Sequence, residues 1–222
     1  MTSRNILIIG DSYSTFEGYI PEGFGPYYKK VTERKTDVKD VKLTWWYKLA
    51  EETGSKIVLN NSWSGSTICY TGYGGEDTSK TSSFLHRIDV LCDDGFFKRE
   101  KVDTVLVFGG TNDSWADSPL GSVSFGEKNR EELYSVLPAI CRLAEKLKSE
   151  LPEAQIVFLI NTDLKPQIVD CFKACAEHYG AQYIEFEQID KYDGHPTAKG
   201  MEEIKEKIKN TLSVTSSTDK SR

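Results

Sequence analysis

Ile6-Leu7-Ile8-Ile9-Gly10-Asp11-Ser12-Tyr13-Ser14 decides how the rest of the chain is read. An unbroken aliphatic and β-branched run of this kind, halted by glycine, reads as a strand buried on both faces, as in a parallel sheet. Ser12 then sits just beyond the strand's carboxyl end. In open α/β sheets that edge is where ligands bind, because its loops are free to carry chemistry while the strands hold still. A serine there has two readings, a nucleophile or a helix cap whose oxygen accepts a free backbone N–H.

Working outward, four more strand-like runs follow: Lys56 to Asn60, Val102 to Phe108, Ile156 to Ile160 and Tyr183 to Phe186. Between them lie helical patterns over Leu43–Thr53, Phe84–Leu91, Glu127–Leu151 and Gln167–Tyr179, with a last helix from Thr197 to Leu212. Pro138 is expected to kink the long third helix. Trp45 and Trp46 are adjacent, so one is expected in the core and one against the segment 13–41, a long polar stretch read as a flap. Alternating strands and helices give a parallel sheet with right-handed crossovers and helices on both faces. A single domain over 1–212 is expected, with a frayed, Ser- and Thr-rich tail over 213–222.

Composition narrows the function. The 222 residues carry 28 basic and 34 acidic side chains, a formal charge of -6, with no basic stripe to follow phosphates. Nucleic acid is therefore not an expected partner. No window reaches the roughly 18 apolar residues of a membrane span, and the N-terminus lacks a signal-peptide pattern, so a soluble cytoplasmic protein is expected. Cys69, Cys92, Cys141, Cys171 and Cys175 are scattered without metal-clip spacing and read as buried thiols. No Gly-x-Gly-x-x-Gly follows the first strand, and no Gly-Lys-Ser/Thr loop is present. No metal or cofactor is expected, and the oligomeric state stays open.

The strand ends supply a constellation. Asn61-Ser62-Trp63-Ser64-Gly65 follows the second strand, Gly110-Thr111-Asn112-Asp113 the third, and Gly194-His195-Pro196 precedes the last helix. Serine hydrolysis needs a hydroxyl, an imidazole to take its proton, a group to orient the imidazole, and fixed donors for an oxyanion. In their order along the chain, these blocks resemble the SGNH (GDSL) esterase/lipase family. The resemblance runs from the first strand to the last helix and implies a three-layer α/β/α, flavodoxin-like fold with a five-stranded parallel sheet.

Carried over residue by residue, the resemblance implies Ser12 as nucleophile and His195 as base. It implies an oxyanion hole from the backbone N–H groups of Ser12 and Gly65 and the side-chain amide of Asn112. Asp113 is expected to brace its loop. The orienting acid departs from the family's spacing, because the residue three before His195 is Tyr192. Asp193 and Asp190 are the alternatives, with a backbone carbonyl as a third. Asp11, Tyr13, Trp63 and Trp115 are expected at the substrate. The implied activity is hydrolysis of a small-molecule carboxylic ester, with a short acyl group on a carbohydrate or other polar alcohol. A non-catalytic flavodoxin-like binding module is the alternative from another class, and a lipase or thioesterase the alternative on the same fold.

Overall fold

The structure is a computed structural model that describes residues 3–218. In chain order, β1 (Asn5–Gly10) leads through the long segment 11–44 to α1 (Trp45–Thr53) and β2 (Lys56–Ser62). Then come α2 (Phe84–Asp93), the short α3 (Phe96–Arg99), β3 (Thr104–Phe108), the short α4 (Thr111–Trp115), α5 (Val136–Glu150) and β4 (Gln155–Ile160). The chain closes with α6 (Pro166–Tyr179), β5 (Gln182–Glu185), a hairpin of β6 (Lys191–Tyr192) and β7 (His195–Pro196), and α7 (Ala198–Thr218). Residues 213–218 of the expected tail thus continue α7, and 219–222 lie outside the described residues. Among the described residues no helix is long and apolar enough to cross a membrane.

β1 to β5 form one parallel sheet in the order β2-β1-β3-β4-β5. The order reverses direction between β1 and β3, and such a switch point opens a crevice beyond the strands' carboxyl ends. Side chains alternate between faces with the two-residue period of a strand. Leu7, Ile9, Val105, Val107, Ile156 and Phe158 pack with α2, α5 and α6. Ile6, Ile8, Leu106, Phe108, Val157 and Leu159 pack with α1, α7 and the segment 11–44. Because both faces of the central strands β1, β3 and β4 are covered, these read as nearly continuous apolar runs.

Local expectations change in two places, the start of α5 and the segment 13–41. The helix expected from Glu127 starts at Val136, after a 3-10 turn at Glu131–Tyr134. Pro138 therefore lies in the first turn, where its missing N–H has no intrahelical partner to lose, and no kink is needed. The segment 13–41 is packed rather than loose, with Phe16, Tyr27, Tyr28 and Val38 buried in it. Both tryptophans of α1 are buried: Trp45 donates its indole N–H to the Tyr13 carbonyl (3.2 Å), and Trp46 lies under Tyr19 of that segment (6.0 Å between rings).

Candidate active site

The carboxyl end of β1 needs glycine at position 10, since a Cβ there would fall 2.5 Å from Ser62 Oγ and 2.8 Å from Ser14 Cβ. The chain then enters a 3-10 turn over Ser12–Ser14, capped by Asp11, whose Oδ1 accepts the Tyr13 N–H (3.0 Å). This places Ser12 Oγ 3.0 Å from His195 Nε2. His195 arrives from 183 residues away on the β6–β7 hairpin. Its other ring nitrogen, Nδ1, lies 3.1 Å from the backbone carbonyl of Asp193. A carbonyl only accepts, so Nδ1 carries the proton and Nε2 presents its lone pair to the Ser12 hydroxyl.

Neither candidate carboxylate meets the imidazole, and the backbone carbonyl takes that place. Asp193 (φ +50°) and Gly194 (φ +73°) are the two central residues of the hairpin turn. Positive φ at both is the signature of a type I′ turn, for which Asp-Gly is a favoured sequence. The turn leaves Asp193 exposed at its apex and brings its carbonyl back under the ring of His195. Asp190 is engaged elsewhere: its carboxylate accepts the Thr197 hydroxyl and its carbonyl accepts the Thr197 N–H (3.0 Å), closing the entry to α7.

Aromatic groups fix the ring and its loop. Tyr27 stacks on His195 with centroids 3.6 Å apart and planes 7° from parallel, and the Arg34 guanidinium covers the outer face of that tyrosine at 4.7 Å. Tyr13 OH donates to the Gly194 carbonyl (2.5 Å) and Tyr28 OH to the Pro196 carbonyl (2.8 Å), so hydroxyls hold the main chain on both sides of the histidine. Burial lowers the His195 pKa below its ordinary 6.5, with Arg34 and Lys191 adding to the shift against Asp193, so the ring is neutral at pH 7 and able to accept a proton.

Two further loops complete the site. Gly65 adopts φ +82°, a conformation costly to any residue with a Cβ. Neither its N–H nor that of Ser12 has a protein acceptor among the described residues. Asn112 is buried in the first turn of α4, with Nδ2 donating to the Ser66 carbonyl (3.0 Å) and Oδ1 accepting from Tyr73 OH (2.8 Å). One amide N–H remains. Asp113 braces the neighbouring loop, as expected, by accepting the N–H groups of Ile68 and Cys69.

The residues expected at substrate divide. Asp11 and Tyr13 are buried and act inside the protein, one capping the serine turn and the other tying down Gly194. Their expected substrate contact is therefore corrected. Trp115 is 44 % exposed and lies edge-to-face with His195 at 5.8 Å between ring centroids, and Trp63 is half-buried under Phe24 at 4.4 Å between ring centroids. A cleft of about 520 Å³ lined by Tyr27, Arg34, Lys35, Tyr192 and Asp193 opens at the hairpin turn, and neither Ser12 nor His195 lines it.

Sequence reading missed Arg87, which is buried beneath three of these loops. Its five N–H groups reach the carbonyls of Ser82 (2.8 Å), Gly10 (3.1 Å) and Asn61, Asn61 Oδ1 (2.7 Å) and Ser66 Oγ (3.2 Å). Burial lowers its pKa to about 9, so it is still a cation at neutral pH. Burial likewise raises Asp11 to about 7 and Asp113 to about 6. An arginine in an amphipathic helix reads as solvent-facing, and only the three-dimensional need for donors under the loops distinguishes this one.

Groups with metal-ligating chemistry lie away from the site. Cys141, Cys171 and Cys175 meet in the core between α5 and α6 (Sγ–Sγ 3.6 and 3.9 Å from Cys141). Glu52, Glu202 and Glu206 close around Lys205 Nζ at 2.5 to 2.6 Å, so a side-chain cation already sits among them.

The model of the GDSL-like lipase/acylhydrolase family matches residues 4–212. Among solved structures, a protein from Bacteroides ovatus described as a GDSL-like lipase is 40 % identical, with 96 % of this chain and 99 % of that chain covered and a TM-score of 0.87. One from Bacteroides uniformis, described in the same words, is 38 % identical over 95 % and 96 % of the two chains, also with a TM-score of 0.87. A carbohydrate acetylesterase from Sinorhizobium meliloti shares the fold at 15 % identity (96 % and 100 % covered, TM-score 0.62). A comparison with curated proteins finds no match in sequence. With the five-stranded 2-1-3-4-5 sheet and serine, glycine, asparagine and histidine at its carboxyl edge, the chain belongs to the GDSL-like lipase/acylhydrolase family and has the SGNH hydrolase fold.

Proposed function

We propose that this hydrolase is a serine esterase that removes a short acyl group, such as acetyl, from a carbohydrate or other small polar alcohol. The observation that carries the reading is the 3.0 Å contact of Ser12 Oγ with His195 Nε2, with Nδ1 held on a carbonyl. His195 takes the hydroxyl proton as Ser12 Oγ bonds to the ester carbonyl carbon, whose oxygen becomes an oxyanion. The N–H groups of Ser12, Gly65 and Asn112 are the donors proposed to receive that charge. Collapse breaks the bond to the alcohol oxygen, which leaves with the proton from Nε2 and yields an acyl-Ser12. Water then repeats the sequence, His195 removing its proton, and the acid is released.

The acyl and alcohol preferences rest on the polar and aromatic groups around His195. Arg34 over Tyr27, the exposed Asp193 and the exposed Trp115 suit a hydroxyl-rich alcohol, whereas a long acyl chain would set methylene groups against charges that need water. Carbohydrate acetylesterase activity in a structural neighbour at 15 % identity accords with this preference through the shared fold alone. A series of p-nitrophenyl esters from acetate to palmitate tests it: kcat/KM is expected to be highest at acetate or propionate. A steady rise towards palmitate would favour a lipase.

A further inference from the structure

We propose that Tyr73 is a positioning residue for the oxyanion hole, acting through Asn112; the proposal rests on the esterase reading above. A side-chain amide has two faces to choose between, and only one presents an N–H to an oxyanion. In this chain the choice is made at Ser66 and held by Tyr73. Ser66 O accepts one N–H of Asn112 Nδ2 (3.0 Å), and Tyr73 OH donates to Oδ1 (2.8 Å). Reversing the amide would set two oxygens against each other at Ser66, and in the orientation that Ser66 selects the Tyr73 hydroxyl donates to Oδ1 and holds the amide there. The second Nδ2 hydrogen is therefore left for substrate, and the phenol at Oδ1 draws electron density from the amide and strengthens that N–H as a donor.

The loop that carries Tyr73 is built to hold it. Thr71 pairs with Asp77 across the loop, and the Gly72 N–H donates to the Glu76 carbonyl (2.8 Å). Gly74 and Gly75 supply the positive φ angles of its tip. Thr71 Oγ1 donates to the Tyr134 carbonyl (2.7 Å), Ser118 Oγ donates to the Thr71 carbonyl (2.9 Å), and Tyr134 OH donates to Asp77 Oδ2 (3.0 Å). Such bracing is more than a solvent-exposed turn requires. The phenol keeps its proton at neutral pH, since partial burial raises its pKa and Asp11 and Asp113 raise it further. With 45 % of its surface exposed, Tyr73 contributes little to the core, so removing its hydroxyl leaves the fold intact.

A double-mutant cycle separates positioning from substrate contact or structure. Turnover of p-nitrophenyl acetate, and the rate of Ser12 labelling by a fluorophosphonate, are measured for wild type, Tyr73→Phe, Asn112→Ala and the double variant, with Tm as a check on folding. Tyr73→Phe is expected to lower kcat about tenfold at unchanged KM and Tm and to slow labelling to a similar degree. In the Asn112→Ala background it is expected to cost nothing further, because the group it positions is gone. An equal loss in both backgrounds, or a rise in KM with kcat unchanged, overturns the proposal. If Ser12→Ala keeps wild-type turnover, the esterase reading itself has failed, a result distinct from a failure of the cycle.

Discussion

Asp193→Asn tests whether a main-chain carbonyl, rather than a carboxylate, orients His195. Asparagine is among the few residues that tolerate φ near +50°, so the turn and its carbonyl survive the change. What is lost is the charge of an exposed carboxylate two residues from the imidazolium. At a separation of about 7 Å in water, that charge contributes about 0.6 kcal/mol, or roughly a threefold effect on turnover. Losing the orienting carboxylate of a triad costs about 10⁴-fold. The two accounts therefore differ by more than three orders of magnitude in kcat. Gly194→Ala is the matching perturbation of the carbonyl's position. Its φ is +73°, which strains any residue with a Cβ, and the new Cβ would lie 3.0 Å from Trp115 Cη2, so the turn or that indole must give. Small displacements of this kind cost up to about 100-fold in turnover. Steady-state kinetics on p-nitrophenyl acetate should place Asp193→Asn within about fivefold of wild type and Gly194→Ala at least about tenfold below it. A loss of about 10³ or more in Asp193→Asn would refute the assignment.

Because burial depresses the His195 pKa, its neutral, basic form persists as pH falls through 6.5, and the acid limb of kcat/KM should have its midpoint below that value; a midpoint above 6.5 would contradict the lowered pKa. Gly200→Ala places a Cβ 2.1 Å from the Asp190 carbonyl, so α7 must move away from the loop that carries His195. The variant should lose about 1 to 3 kcal/mol of stability in urea or thermal unfolding. An unchanged Tm would show that the close approach of α7 to Asp190 is not needed.

What was legible in the sequence follows from what each residue's neighbours are. β1, β3 and β4 are buried on both faces, so their aliphatic runs marked the sheet, and the polar loops at their ends marked its functional edge. Ser12, Gly65, Asn112 and His195 were visible there because their order along the chain is specific even though each loop alone is an ordinary turn. The β6–β7 hairpin was missed although Asp193-Gly194 is a favoured turn sequence, because its strands have two residues each and show no alternation. Without the hairpin, the segment reads as extended, and an extended segment points the Asp193 carboxylate, not its carbonyl, towards the histidine. Tyr27 and Tyr28 could not be found from pattern, since the segment around them is held by single long-range contacts with no period. Tyr73 carries no signal in the sequence, because its hydroxyl acquires meaning only from the amide 2.8 Å away.

Covalent labelling of the intact protein tests the central claim most directly. With excess fluorophosphonate at neutral pH, intact-mass and peptide mass spectrometry should find a single adduct on Ser12 of the wild-type protein. Ser12→Ala should gain none, and His195→Ala should react at least about 100-fold more slowly, because the hydroxyl then has no base. No adduct on the wild type, or one formed equally fast without His195, would contradict the nucleophile and base assigned here.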